Sequence, residues 1–309
     1  MDSLQSLKSR SKAVKNVGQI TKAMEVVAAT KMRKAQEVAL RSRPYAYRAL
    51  ELLARVTEHE SFASELTTSR PVKTTAILIV ASDKGLTGAF NTQVFRAADS
   101  FFATDSLRGN LERPYIAITV GKKATQYALK NKLHVGKDFS GFGDHALPEE
   151  INPLARSLIE GYTKKQWDRV VTLSTHFRTA LKQETLMRQI LPIDIDKIKD
   201  TVREIVPAHG RYADASNIAT HENGADYLFE PSPKEVFDSL LPHLLTMQIY
   251  HLILEANASE HSARRVAMKT ASDNAQELLD ALTLEYNKAR QAGITKELIE
   301  ITSTQQALR

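Results

Sequence analysis

The histidines, carboxylates and hydroxyls of this sequence do not form a recognisable catalytic or metal-binding pattern. The nine histidines are scattered, and no two of them have the HExxH spacing that places zinc ligands on one helix face. His243, His251 and His261 fall in one predicted helix, without carboxylates arranged as a site. No Ser, His and Asp set has the nucleophile elbow of hydrolases, and the sequence has no cysteine. We therefore expect no intrinsic catalysis, no cofactor and no metal.

The loop Gly85-Leu86-Thr87-Gly88 is a weak candidate for anion binding. It follows a predicted strand and precedes a predicted helix, where exposed backbone amides attract phosphate. However, the sequence lacks the GxGxxG and P-loop fingerprints, and the next strand ends in Val120-Gly121-Lys122 without the acidic residue that binds ribose. The pattern favours a structural turn that packs helix against strand. A nucleotide-dependent enzyme is the less favoured alternative.

The positive charge of the chain is concentrated near its N-terminus. The formal net charge is +6 and the pI is about 9.3. From Met1 to Arg48 the only acids are Asp2, Glu25 and Glu37, whereas the eleven basic residues are Lys8, Arg10, Lys12, Lys15, Lys22, Lys31, Arg33, Lys34, Arg41, Arg43 and Arg48. Such a bias indicates an acidic partner, which could be nucleic acid, anionic lipid or a protein surface.

The first 57 residues predict one long coiled-coil helix, interrupted only by Gly18 and Pro44. Apolar or small residues recur every seven positions, at Leu7, Val14, Thr21, Ala28, Ala35, Ser42, Ala49 and Val56. A second series lies three positions later, at Arg10, Val17, Met24, Lys31, Val38, Tyr45 and Leu52. Because the seam is rich in small residues, we expect this helix to require a partner helix.

The middle of the chain alternates short β-branched runs with helical segments, which predicts a parallel sheet covered by helices. The predicted strands are Thr75–Ala81, Tyr115–Val120, Arg169–Leu173, Thr185–Leu191 and Tyr227–Phe229. The predicted helices are Gly88–Ala103, Lys122–Lys132 and Pro148–Lys164. The polar stretch Asp194–Gly224 is interpreted as a long, mobile excursion.

A second long helix is predicted at the C-terminus, where Pro242 should open a new helix or kink an existing one. A helix from about His243 to Leu308 would be ~100 Å long, and the N-terminal helix ~85 Å. The two helices most simply pair antiparallel, with the C-terminal helix extending beyond its partner. We thus predict an α/β fold in which a long antiparallel coiled coil carries an inserted Rossmann-like domain, with boundaries at 1–58, 72–231 and 232–309.

The sequence contains no run of the ~18 to 20 apolar residues that a membrane-spanning helix needs. The segment Met1–Lys15 also lacks the apolar centre of a secretory signal. Any membrane association is therefore expected to be peripheral.

Four segments resemble F-type ATP synthase gamma subunits. Gln19–Gln36 (QITKAMEVVAATKMRKAQ) is similar to the family's N-terminal signature, and Ser259–Ile301 is similar to its C-terminal signature. Ser82–Asn91 (SDKGLTGAFN) resembles the loop after the first strand, with Thr87 where a common family form has cysteine. Tyr227–Pro231 (YLFEP) resembles the segment before the last helices. The matches occur in family order over nearly the whole chain.

This resemblance implies the central-stalk rotor of a proton-translocating ATP synthase, which couples rotation of the membrane c-ring to the catalytic sites but is not catalytic itself. The implied partners are the alpha and beta subunits of the catalytic head, the epsilon subunit and the c-ring, with no nucleic acid. The implied location is the cytoplasmic face of the bacterial plasma (inner) membrane, and the mitochondrial inner membrane is less favoured.

The resemblance also implies roles for individual residues. Those that would contact the head subunits are Lys22, Met24, Lys31, Arg33, Lys34, Arg264, Arg290, Gln291 and Thr295. Those that would contact the c-ring are Tyr227, Phe229 and Glu230. Without the resemblance, the basic residues would be read as a solvated helix face, and Met24, Tyr227 and Phe229 as ordinary packing residues. A basic coiled coil that binds nucleic acid is a further alternative, but no nucleic-acid module is visible.

Overall fold

The computed structural model describes residues 3–41, 43–57, 62–107, 114–142, 146–179, 182–194 and 228–307. The chain divides into two compact units. One consists of Met1–Ala29 and Arg264–Arg309, and the other of Thr30–Ala263. The first and last helices each contribute residues to both units. Of the predicted excursion Asp194–Gly224, only Asp194 is described, and residues 195–224 lie outside the described residues.

Six helices and five strands make up the described secondary structure. The helices are α1 (Leu4–Arg41), α2 (Arg43–Val56), α3 (Phe90–Leu107), α4 (Lys122–Lys130), α5 (Pro148–Thr163) and α6 (Pro233–Ala307). The strands are β1 (Thr75–Val80), β2 (Tyr115–Val120), β3 (His134–Phe139), β4 (Arg169–Phe177) and β5 (Gln183–Leu191). None of the helices in the described ranges combines the length and the apolar character that crossing a bilayer requires.

The strands form one sheet in the order β3-β2-β1-β4-β5. Strands β3, β2, β1 and β4 are parallel, and β5 returns antiparallel to β4 as a hairpin. All six residues of β1 are buried, as expected for a central strand covered on both faces. Alternate β1 residues enter two different cores: Leu78 packs with α2, α5 and α6, whereas Ile77 packs with α3 and α4. The predicted inserted α/β domain is therefore confirmed.

Two strand predictions differ from the structure. Strand β3 was not predicted, because its sequence HVGKDF is mostly exposed and lacks an apolar alternation. The predicted strand Tyr227–Phe229 is wrong at Phe229, which belongs to no strand, and Tyr227 lies outside the described residues. Pro231 and Pro233 follow Phe229 closely, and proline cannot donate to a strand ladder.

In the unit formed by 1–29 and 264–309, α1 and α6 pair antiparallel. Gly18 lies against Ala275, and Leu4 lies near Gly293. The first predicted seam series is confirmed along α1 and α2: Leu7, Thr21, Ala28, Ala35, Ala49 and Val56 are buried and Val14 is half-buried, whereas Ser42 is outside the described residues. The predicted long antiparallel pair is therefore present.

The second predicted series is confirmed only in part. Arg10, Val17 and Tyr45 are exposed, whereas Met24, Lys31, Val38 and Leu52 are half-buried. Buried or half-buried residues also lie four positions after the first series, at Ser11, Gly18, Glu25, Met32 and Leu53. Heptad spacing permits an offset of either three or four. The smaller residues at 11 and 18 allow α6 to approach α1 closely, which favours the offset of four.

Of the two alternatives predicted for Pro242, the opening of a new helix is excluded, because α6 runs through it as one helix of 75 residues; a kink at Pro242 stays a prediction. An interior proline costs a helix ~3 kcal/mol. Leu240, Leu241, Leu244 and Leu245 are all buried around it, and burying each such side chain contributes about 1.5 to 3 kcal/mol. Core packing on both sides of Pro242 therefore outweighs the lost backbone hydrogen bond.

Candidate partner-contact surface

The part of α1 that carries Lys22 and Met24 presents a mixed basic and apolar surface. Lys22 is exposed, and its Nζ lies 2.8 Å from Glu25 Oε2. Met24 is half-buried at the edge of the helix interface. Five large apolar side chains on the same helix are exposed: Leu4, Val17, Ile20, Val26 and Val27. A solvated helix face would not require these apolar residues.

Charged side chains of α1 and α6 lie close together beside this surface and shift one another's pKa values. The hydrogen bond from Lys22 lowers the pKa of Glu25, burial opposes the shift, and the positive charges of Lys22, Arg265 and Lys269 lower it further. The same hydrogen bond and the charge of Glu25 raise the pKa of Lys22. Charges of both signs therefore cross the interface between α1 and α6.

A groove with a volume of about 560 Å³ lies at this point of the helix pair. Gly18 and Ala275 belong to its lining, together with Val14, Lys15, Gln19, Lys22, Ser272, Asp273, Gln276 and Leu279. The groove is bordered by two lysines from α1 and one aspartate from α6.

The basic residues Lys31, Arg33 and Lys34 continue along α1 but belong to the unit formed by Thr30–Ala263. Arg33 and Lys34 are exposed, and Lys31 is half-buried. The structure thus gives the three residues different surroundings. Arg33 and Lys34 are the more accessible of the three to a partner.

The C-terminal residues predicted to contact the head all lie on α6. Arg264 is half-buried, whereas Arg290, Gln291 and Thr295 are exposed. Thr295 Oγ1 donates a hydrogen bond to the Gln291 carbonyl at 2.9 Å. The side chains of Arg290 and Gln291 point outward from the helix pair and are available for intermolecular contacts.

Helix α6 extends beyond the start of α1. A Cβ placed on Gly293 would lie 3.9 Å from Leu4 Cδ1, and α1 begins at Leu4. Residues 294–307 continue the helix past this point. Four apolar side chains of this end are at least half exposed: Ile294, Leu298, Ile299 and Ile301. The predicted overhang is therefore present, and its apolar surface lacks cover from α1.

The residues predicted to contact the c-ring immediately precede α6. Phe229 is half-buried and packs against the core that contains α6. Glu230 is exposed, and so is Leu228, at 85%. Tyr227 lies outside the described residues. Phe229 thus anchors the segment, while Leu228 and Glu230 face outward.

The residues that flank the loop Gly85–Gly88 are joined by hydrogen bonds within the chain. Asp83 accepts hydrogen bonds from the Lys122 amide at 3.0 Å and the Gly141 amide at 2.9 Å. Ser82 Oγ donates to the Lys84 carbonyl at 2.6 Å, and Asn91 accepts from the Ser82 amide at 3.0 Å. The carboxylate of Asp83 therefore joins the segment before this loop to the start of α4 and to Gly141.

Sequence reasoning missed two features of the candidate surface. One is the exposed apolar group on α1, which the second heptad series wrongly assigned to the interface at Val17. The other is the charge set that includes Glu25 and Asp273, whose positions become meaningful only once α1 and α6 are aligned. Within the described ranges, no three His, Asp or Glu side chains are grouped as metal ligands.

Comparison with known proteins assigns the family. A family model described as ATP synthase matches residues 3–308. The ATP synthase gamma chain of Trichlorobacter lovleyi is 37% identical over 311 residues, covering 100% of both chains. That of Opitutus terrae is 39% identical over 306 residues, covering 99% of this chain and 98% of the relative.

Solved structures agree on the fold. A chain of the Euglena gracilis mitochondrial ATP synthase rotor matches with a TM-score of 0.59 at 18% identity, over 94% of this chain and 98% of that chain. A second structure of that enzyme, containing OSCP, F1 and the c-ring, matches with a TM-score of 0.63 at 18% identity, over 99% of this chain and 94% of that chain. At this identity the likeness concerns the fold. Together with the relatives, it means that the chain belongs to the ATP synthase gamma-chain family.

Proposed function

We propose that this chain is the central-stalk rotor of a proton-translocating ATP synthase, turning with the membrane c-ring and driving conformational cycling of the catalytic sites. The observation that carries the proposal is the overhang of α6. Residues 294–307 extend past the start of α1 with exposed apolar side chains, and contiguous exposed apolar surface marks an interaction site. The chain contributes no catalytic group in this proposal.

The mechanism follows from the asymmetry of a single chain inside a ring of similar subunits. Each neighbour meets a different face of the helix pair, so each catalytic site is biased toward a different conformation. The rotor shifts the populations of these conformations and does not touch the reacting atoms. Moving one charge through 100 mV releases about 2.3 kcal/mol, so work from several protons has to pass through the shaft for each nucleotide.

The proposed head-contact residues fall into two groups. The first lies on α1 and consists of Lys22, Met24, Lys31, Arg33 and Lys34. It combines positive charge with the neighbouring apolar side chains, which suits acidic loops of the alpha and beta subunits. The second lies on α6 and consists of Arg264, Arg290, Gln291 and Thr295. Arg290 and Gln291 are exposed hydrogen-bonding groups near the overhang, which suits loops that engage the shaft as it turns.

The proposed c-ring contact is the segment Tyr227–Glu230, and we propose the epsilon subunit as a further partner of the stalk. Phe229 packs into the core, which would hold the exposed Glu230 in place against polar loops of the ring. In this proposal residues 1–58 and 232–309 serve as the shaft and residues 72–231 as the foot. The foot then receives torque and the shaft delivers it.

The chain is a subunit of a membrane-associated complex. We propose that it associates peripherally with the cytoplasmic face of a bacterial plasma membrane. The two gamma-chain relatives compared above are from bacteria, which supports this location over the mitochondrial inner membrane.

Reconstitution tests the proposed function. Alpha and beta subunits assembled with the chain should show high, cooperative ATPase activity, and omission of the chain should abolish it. The purified chain alone should hydrolyse no ATP. Nucleotide turnover by the chain alone, or full cooperative activity without it, would contradict the proposal.

A further inference from the structure

A line of polar residues runs along α6 inside the unit formed by Thr30–Ala263. Its members are Gln248, His251, Glu255, Ser259 and Ser262. Their spacings of three and four residues place all five on one helix face. His251, Ser259 and Ser262 are buried, and the Glu255 side chain is only 14% exposed. We call this set the polar stripe of α6.

Most of the other buried residues in this part of α6 are apolar, with the buried His261 and the half-buried Asn257 and Glu260 as exceptions. Ile249, Leu252, Ile253, Leu254 and Ala256 are buried in the same core as α2 and α5. Apolar contacts of this kind are strong but non-directional. They hold the helix in the core without fixing its rotation about its own axis, so directional polar contacts are needed to fix that rotation.

Two members of the polar stripe, Glu255 and Ser262, make directional contacts with the β4–β5 hairpin. His176 Nδ1 of β4 lies 2.7 Å from Glu255 Oε2, and the His176 side chain is 5% exposed. Gln183 Nε2 of β5 donates a hydrogen bond to Ser262 Oγ at 3.3 Å. Val170, on the same face of β4 as His176 by strand alternation, packs in the core that contains α6. The hairpin therefore contacts α6 at two residues, Glu255 and Ser262, which are seven positions apart.

These contacts allow only one rotational setting of α6. A slip of one residue turns a helix by about 100° and would carry Glu255 away from His176 toward apolar neighbours. Burying an unpaired carboxylate is strongly unfavourable. Buried polar pairs often add little net stability, and their best-attested role is to fix register. The His176–Glu255 pair has the burial and geometry for that role.

We propose that the His176–Glu255 pair, together with the Gln183–Ser262 contact, is a rotational lock that fixes α6 to the sheet so that torque turns the shaft without slippage. His176 and Glu255 are positioning residues in this proposal, because they touch neither nucleotide nor proton path. The lock rests on the proposed rotor function: a shaft that transmits torque needs such a joint with its foot.

The first test replaces the pair by apolar residues of similar size, His176→Leu with Glu255→Met. The assembled enzyme should retain its ATPase activity and a melting temperature close to the wild type. Protons pumped per ATP hydrolysed should fall at least twofold. The control is Arg178→Ala with Glu184→Ala, which removes an exposed ion pair from the same hairpin and should leave coupling unchanged. Normal coupling in the apolar variant, or equal loss in the control, overturns the lock.

Two single variants extend the test should the double variant not fold. Glu255→Gln keeps a hydrogen-bond acceptor at the same reach, whereas Glu255→Asp keeps the charge but withdraws it by one methylene. A lock based on geometry predicts better coupling in the Gln variant than in the Asp variant. The reverse order would mean that charge alone matters and would overturn the proposal.

A cross-linking rescue separates failure of the lock from failure of the rotor function. The chain has no cysteine, so Gln183→Cys with Ser262→Cys supplies its only thiols at a point where the native side chains touch. In the apolar variant, a short thiol-to-thiol cross-linker should restore coupling. No restoration after complete cross-linking overturns the lock. If the wild-type chain itself does not support pumping, the rotor function fails instead.

Discussion

Gly18 of α1 lies so close to α6 that a Cβ placed on it would be 3.4 Å from Ala275 Cβ. This approach occurs beside Thr21, whose Oγ1 donates to the carbonyls of Val17 and Gly18 at 3.0 Å. Small residues bring the two helix backbones together here, and the groove beside them is rimmed by Lys15, Lys22 and Asp273. The spacing of the helix pair at Gly18 thus determines the shape of the adjoining candidate contact surface.

Small and large side chains introduced at Gly18 should have opposite effects on stability. Gly18→Ala adds a methyl group at ordinary van der Waals distance and removes the helix penalty of glycine, so stability should rise by about 0.5 to 1 kcal/mol. Gly18→Leu overpacks the interface and should destabilise it by about 1 to 3 kcal/mol. Thermal melting followed by circular dichroism checks both. A stabilising leucine would mean that the helices are not closely packed at this position.

Replacing Lys31, Arg33 and Lys34 together by Ala should leave folding nearly intact, since Arg33 and Lys34 are exposed, Lys31 is not fully buried, and exposed positions seldom change stability by more than about 0.5 kcal/mol. Coupling or turnover of the assembled enzyme should change instead. The double variant Arg33→Ala with Lys34→Ala isolates the two exposed members from the half-buried Lys31. Lys130→Ala with Lys137→Ala, two exposed lysines of α4 and β3, is the control. Unaltered ATPase, assembly and pumping in the triple variant would identify these residues as a solvated face.

Replacing Arg290 and Gln291 together by Ala should matter only in the complex. Both side chains are exposed, and the hydrogen bond from Thr295 goes to the Gln291 backbone, so α6 should keep its helicity. Well-formed charge-assisted hydrogen bonds contribute about 1.5 to 3 kcal/mol. Loss of such contacts should lower ATPase activity or assembly substantially. Glu285→Ala with Lys288→Ala, exposed on the same helix, is the matched control.

Two outcomes would contradict the assignment of Arg290 and Gln291. Normal assembly and turnover of the double variant would deny a contact. Loss of helicity in the isolated variant chain would make the residues structural.

Because of Asp168, the stability of the Thr30–Ala263 unit should decrease as the pH falls in the acidic range. Burial alone would raise its pKa, but hydrogen bonds from the Lys73 and Thr74 amides and from Arg70 outweigh burial, so the pKa is lowered. Arg70 Nε lies 2.7 Å from Asp168 Oδ1. A lowered folded-state pKa stabilises the protein above the unfolded value of about 3.9, and this stabilisation is lost as pH falls through the folded value.

Asp168→Asn should therefore be less stable than the wild type at neutral pH, and the difference should narrow below about pH 4. Urea denaturation at several pH values measures this difference in the free energy of unfolding. A difference that is independent of pH would show that the charge of Asp168 does not contribute.

The helix pair and the buried strands could be predicted because their patterns are local and repeated. The seven-residue series from Leu7 to Val56 predicted the interface, and the β-branched run in β1 predicted a central strand. The second heptad series could not be placed, since an offset of three or four depends on which side chains of α6 oppose α1. Strand β3 was missed because an exposed edge strand does not need an apolar alternation.

The prediction of the contact residues depended much more on the family resemblance than on the spacing of residues in the sequence. Nothing in the spacing of Arg290 and Gln291 separates them from other exposed residues of α6. The helical period of the polar stripe of α6 is visible in the sequence. Its contact with His176, however, is visible only in the structure. That residue is 79 positions away from Glu255 along the chain, and only the packing of the hairpin on α6 joins them.

A single-molecule rotation assay tests directly whether this chain turns inside the assembled alpha and beta subunits. Alpha and beta subunits assembled with the chain are fixed to a surface, and a probe is attached to the foot of the chain through a cysteine introduced at the exposed position Lys137. ATP should drive rotation of the probe in one direction, and rotation should stop when hydrolysis is inhibited. Steady ATP hydrolysis by complexes whose labelled chain remains stationary would contradict the proposed rotor function.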